Sequence, residues 1–261
     1  MNYLVVYPGR FQPLHKGHLA SYQHLVDKFG EENVYIATSD VQAPVTSPFS
    51  YSEKAMMATK LGIPASHIVK VKNPYQAQEI TQSVTDPENT VLIFALSAKD
   101  MSADAPRFKF GTKKDGTASY MQPWPANDKK LKPLTKHAYV YITPTVDFKV
   151  RGRDANSASE IRKLYADGNE ADRMGIIADL YGSADQHLKD IFDKKLAVAK
   201  NTYAVANQAK KQIADKNILP ESADRVAQLL ARVQQLEAAA ERAYQPLNED
   251  LVPDYLEERS K

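Results

Sequence analysis

The chain has 261 residues, 43% of them apolar and 25% charged, with a formal net charge of +2 and no cysteine. That length can bury a sizeable core, as one large domain or as a domain of about 150–180 residues with an appendage. The absence of cysteine excludes disulfides, thiolate nucleophiles and cysteine-ligated metals. The near-neutral charge gives no general case for nucleic acid, and no apolar run reaches the ~18 residues of a membrane span.

Met1 leads directly into a strand-like apolar run at 3–7, so no leader is expected and a cytoplasmic location is the default. A helical pattern follows from about 17 to 29, then a strand at 33–38, a helix at 52–61 and a short strand at 67–71. Residues 75–83 read as helical. The run 90–96 is almost wholly apolar, as in a parallel strand covered on both faces. A fifth strand is expected at 138–143. Strands alternating with helices predict an α/β fold with a parallel, Rossmann-like sheet.

Between the fourth and fifth strands lies a long insert, 97–137, rich in lysine, proline, glycine and aromatics. A loop this long is usually functional or disordered, and its aromatics argue against disorder. It follows the C-terminal end of a strand, where open α/β sheets bind ligands, and is read as a segment covering substrate. Lys129, Lys130, Lys132 and Lys136 suit either a solvated face or a local nucleic-acid patch. Beyond residue 182 helix formers dominate. Leu188, Ile191, Phe192 and Leu196 fit one helical stripe, and Val226, Leu229, Leu230, Val233 and Leu236 another. The expected organisation is a main domain at 1–182, a helical hairpin at 183–247 and an acidic tail at 248–261. Such a hairpin has a narrow core, so docking on its own domain or on a second copy is expected, with a slight preference for a homo-oligomer.

The densest chemical signal is Gly9-Arg10-Phe11-Gln12-Pro13-Leu14-His15-Lys16-Gly17-His18, placed at a strand-to-helix turn. Backbone N–H groups at a helix start favour anions, and each histidine can donate to a phosphate oxygen. Pro13 and Gly17 suit a sharp turn that lets a ligand approach closely.

The run resembles the G-x-F-x-P-x-H-x-G-H motif of the HIGH-type nucleotidylyltransferase superfamily, matching at Gly9, Phe11, Pro13, His15, Gly17 and His18. Downstream, Asn156-Ser157-Ala158-Ser159-Glu160-Ile161-Arg162 resembles the family's I-S-x-T-x-I-R motif, with Asn156 for Ile and Ser159 for Thr. A third stretch, Ser47-Pro48-Phe49-Ser50-Tyr51-Ser52-Glu53-Lys54, is similar to the N-P-F-x-x-x-E-R of archaeal-type nicotinamide-nucleotide adenylyltransferases. It reads equally as a capped helix start. Together the matches cover roughly residues 1–165.

The resemblance implies transfer of AMP from ATP to a phosphorylated acceptor, with pyrophosphate released. In that reading His15, His18 and Arg162 are the catalytic set, and Gly9, Arg10, Phe11, Lys16, Ser157 and Ser159 bind the nucleotide. Mg²⁺ is implied with ATP, held by substrate oxygens and water, with no protein metal ligands expected. Cytidylyltransferases usually carry Asp where this chain has Gln12, and their R-T-x-G-I-S-T-T stretch is absent, which favours ATP over CTP. The third stretch leans toward nicotinamide or nicotinate mononucleotide as acceptor. The alternatives are a cytidylyltransferase, another acceptor such as phosphopantetheine, and a non-catalytic assembly protein working through its C-terminal helices.

Overall fold

The structure is a computed structural model that describes residues 1–102, 106–114, 116–125, 131–155, 157–196 and 231. Its centre is a six-stranded, wholly parallel sheet: β1 (Asn2–Pro8), β2 (Val34–Thr38), β3 (Ile68–Lys70), β4 (Thr90–Leu96), β5 (Met121–Pro123) and β6 (Ala138–Ile142), in the spatial order β3-β2-β1-β4-β6-β5. The chain walks outward from β1 to β3, then crosses back to lay β4 beside β1, with Leu4 opposite Leu92. The β1–β4 boundary is therefore the point where the strand order reverses. Ligands of open α/β sheets bind outside the strand ends there.

Period-two alternation splits the core into two layers. Val5, Tyr7, Val91, Ile93 and Ala95 face one layer; Leu4, Val6, Leu92, Phe94 and Leu96 face the other. The first layer is covered by α1 (Lys16–Phe29) and α2 (Tyr51–Lys60), together with α4 (Ala158–Asp167) and α5 (Glu170–Tyr181). The second is covered by α3 (Gln78–Thr81) and by parts of the insert. A two-stranded antiparallel ribbon, β7 (Lys149–Val150) and β8 (Arg153–Asp154), links β6 to α4.

The sheet has one strand more than the five expected. Met121–Pro123 pairs in parallel with β6 from within the 97–137 insert, and Phe108 and Leu134 of the same insert are almost completely buried in the second layer. A three-residue strand that itself ends on a proline leaves too short an alternation to read from sequence. The insert is thus in part sheet edge and core.

A sixth helix, α6, spans 186–196. Its stripe does not stand apart: Leu188, Phe192 and Leu196 are buried in the first layer and Ile191 packs against it. The second expected stripe, at 226–236, and the acidic tail lie outside the described residues. Among the described residues no helix is long and apolar enough to cross a membrane.

Candidate functional site

The turn after β1 reaches α1 through a set of close fits that explain its residue types. A Cβ on Gly9 would lie 2.8 Å from the Phe11 ring, and one on Gly17 would lie 3.0 Å from the His15 ring and 3.1 Å from Phe148. Phe11 itself holds φ +50, a conformation rare for a bulky residue. Its ring is fixed edge-on between Tyr7 at 5.3 Å and His18 at 5.0 Å.

His15 is the N-cap of α1. Its Nδ1 accepts the Gly17 N–H at 3.1 Å, while the His15 N–H donates to Nδ1 of His18 at 3.3 Å. Both Nδ1 atoms are thereby acceptors. In a neutral imidazole the proton must then sit on Nε2, leaving each ring with one donor. Burial, and then the neighbouring His18, pushes the His15 pKa well below its ordinary value. Burial brings His18 down to about 4. The two rings lie 3.9 Å apart, a distance that suits neutral imidazoles better than two cations. The first turn of α1 carries no acidic side chain, so its positive end is not neutralised from within.

The second motif docks on the first. Arg162 Nη1 donates to the Gln12 carbonyl at 2.6 Å and Nη2 donates to Ser159 Oγ at 3.2 Å. Ser157 caps α4, its hydroxyl accepting the Glu160 N–H at 3.2 Å. Ser157 and Ser159 are exposed and Arg162 is half-buried. Asn156 lies outside the described residues. Residues 150 positions apart are thus joined by one hydrogen bond, because α4 packs its buried Ile161 and Tyr165 into the layer that supports the turn.

The third motif forms the start of α2. Ser50 and Glu53 form the capping box of α2, and Phe49 is buried. Gln12, which sequence reading used only to choose a donor, spends both ends of its amide on the Phe49 backbone: Nε2 to the carbonyl at 2.9 Å and Oε1 from the N–H at 2.8 Å. Lys54 is fully buried and donates to Thr38 Oγ1 at 2.7 Å, the Ser39 carbonyl at 2.5 Å and the Arg10 carbonyl at 3.3 Å. Burial lowers its pKa to about 8.

Two further groups at the site escaped sequence reading. Phe148 stacks on His15 with centroids 4.7 Å apart, and Lys16 Nζ lies 5.9 Å over the same Phe148 ring. Tyr181 of α5 donates its hydroxyl to the Leu14 carbonyl at 2.9 Å. Neither residue lies in a motif, and only the folded chain brings them to the turn. The readable signals were the Asn169 cap and Gly182 stop that bound α5. Among the described residues no three His, Asp or Glu side chains converge as a metal-binding group.

Residues 6–107 match the family model described as cytidylyltransferase-like, a span that contains the first and third motifs and ends before the second. The chain is 23% identical to a nicotinamide-nucleotide adenylyltransferase of Sulfurisphaera tokodaii over 191 residues, 71% of this chain and 95% of that protein. It is 34% identical to the same-named enzyme of Methanocorpusculum labreanum over 55 residues, 21% of this chain and 33% of that one. Among solved structures it is similar to a bifunctional NMN adenylyltransferase/ADP ribose pyrophosphatase from Francisella tularensis, crystallised with AMP and a manganese ion. The TM-score is 0.45 and the identity 16%, over 84% of this chain and 58% of that one. Both motifs fold into one turn-and-helix assembly, and the sequence matches make this chain similar to cytidylyltransferase-like nucleotidyltransferases and, among named enzymes, to nicotinamide-nucleotide adenylyltransferases.

Proposed function

We propose that the chain transfers AMP from ATP to the phosphate of a mononucleotide, nicotinamide or nicotinate mononucleotide before others, and releases pyrophosphate. The observation that carries this reading is the hydrogen bond from Arg162 to the Gln12 carbonyl, which sets the second motif beside the His15–His18 turn. A phosphate oxygen of the acceptor attacks the α-phosphorus. The bond from that phosphorus to the bridging oxygen breaks, and pyrophosphate carries the electron pair away. His15 and His18 donate Nε2–H to the α-phosphate as its charge redistributes, and the dipole of α1, which His15 caps, adds to this. Arg162, Ser157 and Ser159 hold the leaving pyrophosphate. Lys16 and Arg10 meet the remaining phosphate charge, and Gly9 and Phe11 shape the floor of the turn. Mg²⁺ enters with the substrate as MgATP, on oxygens of the polyphosphate and water. Nothing in this scheme needs a protein nucleophile or a strong base; alignment and charge stabilisation supply the rate.

The test is pyrophosphate release across the four ribonucleoside triphosphates, each paired with nicotinamide mononucleotide, nicotinate mononucleotide and phosphopantetheine. Release with ATP and a pyridine mononucleotide is expected. Faster release with CTP makes the chain a cytidylyltransferase, release with phosphopantetheine changes the acceptor, and silence with every pair favours an assembly role.

A further inference from the structure

The turn that carries both imidazoles is held by three contacts with distant parts of the chain. The Gln12 side chain is tied to the Phe49 backbone, the Gln12 carbonyl to Arg162, and the Leu14 carbonyl to the Tyr181 hydroxyl. The elements that supply these contacts converge on one side chain of α6. Phe192 is completely buried, with its ring centroid 4.8 Å from Phe49, 5.1 Å from Tyr165 and 6.2 Å from Tyr181. Tyr165 lies on the same helix as Arg162, one turn on.

We infer that Phe192 is a positioning residue for the His15–His18 turn, so that α6, near-200 in the chain and outside both phosphate-binding motifs, sets the geometry of the reacting groups. The physical ground is close packing: an interior without free volume transmits a displacement instead of absorbing it. A gap at Phe192 lets Phe49, Tyr165 and Tyr181 shift, and each shift lengthens a hydrogen bond that fixes residues 12–14.

The helix cannot follow to close the gap, because it is pinned along its length. Lys60 pairs with Asp185, just ahead of the helix, at 2.7 Å, Glu170 of α5 with Lys189 at 2.7 Å, and Glu53 of α2 with Lys195 at 3.1 Å. The Tyr165 hydroxyl donates to Asp193 at 2.9 Å. Lys189 is almost fully buried, unlike an ordinary surface lysine.

The kinetic side of this inference rests on the adenylyl-transfer reading above; its spectroscopic side does not. The experiment compares full-length wild type with Phe192→Leu, Phe192→Met and Tyr181→Phe, well below their melting temperatures. It reads kcat, KM for ATP and the NMR Hε1 resonances of His15 and His18 in the ligand-free protein. Phe192→Leu is expected to lower kcat at least tenfold with KM changed less than threefold, and to shift both resonances. Phe192→Met leaves nearly the same volume empty as Phe192→Leu and should lower kcat and shift both resonances in the same way. Tyr181→Phe keeps the ring packing and releases only Leu14, so it should shift the same resonances. A folded Phe192→Leu with wild-type kcat and resonances overturns the inference, because a purely stabilising role moves the melting temperature alone. If Phe192→Leu does not fold, unchanged resonances and kcat in Tyr181→Phe overturn it. If the wild type transfers nothing, the functional reading fails and the resonances still decide the coupling.

Discussion

His18 is held neutral by two separate features. Its Nδ1 is occupied by the His15 N–H, and burial lowers its pKa to about 4. The consequence for stability has a definite sign. In the unfolded chain the imidazole titrates near its ordinary value, so between that value and about 4 the unfolded state binds more protons. The stability tied to the neutral ring is therefore complete above about pH 6.5 and is lost as the pH falls through the native value. His15 shifts in the same direction and adds to the loss. Urea melts at pH 7 and pH 4.5 should show a clear drop in the wild type and a smaller one in His18→Ala. Equal drops would remove His18 from the account. The same variant should lose turnover by orders of magnitude in the pyrophosphate assay while still folding. Removing one preorganised donor to a developing charge costs about 2.7–4 kcal/mol in comparable sites. Near-wild-type turnover in folded His18→Ala would refute the proposed catalytic role.

At the scale of elements, the insert between β4 and β6 combines a sheet edge with surface loop. Phe108 is 1% exposed and meets Phe94 and Tyr75 in the second core layer. Phe108→Ala should cost about 3–5 kcal/mol by denaturant unfolding, the range for deleting a buried aromatic ring. A loop that merely lay over substrate would yield less than about 0.5 kcal/mol at the same position. The first motif shows how an element can be legible while its support is not. Gly9, Gly17, His15 and His18 are readable because a strand-to-helix turn around an anion demands small residues and donors at fixed spacing. Phe148, Tyr181 and Gln12 were illegible as parts of the site. Their roles depend on which distant backbone group they meet, and no local pattern encodes that.

Over the whole molecule, the sequence after residue 182 reads as a hairpin docked on its own domain or on a second copy, and its described part, α6, completes the first core layer of its own domain. A chain ending after Gly182 loses Leu188, Phe192 and Leu196 and exposes the rings of Phe49, Tyr165 and Tyr181. Burial of each lost side chain contributes about 1.5–3 kcal/mol before entropy is subtracted. The truncated protein should therefore melt at a markedly lower temperature. Light scattering on the same sample reads whether its particle mass also changes, as a homo-oligomer built on the C-terminal helices requires. An unchanged melting temperature and an unchanged mass would make the segment an independent appendage.

The sequence by itself determined the α/β class, the strand-to-helix turn with its histidines and the second motif bearing Ser157, Ser159 and Arg162. Periodicity, turn chemistry and motif spacing are local properties, and local interactions suffice to specify them. Only the tertiary structure decided that Arg162 reaches the Gln12 carbonyl, that β5 pairs with β6 and that Phe192 sits among the three rings behind the turn. Those contacts join residues tens to more than a hundred positions apart. Their free energy comes from burying apolar area in a close-packed interior, and that depends on the arrangement of the entire chain.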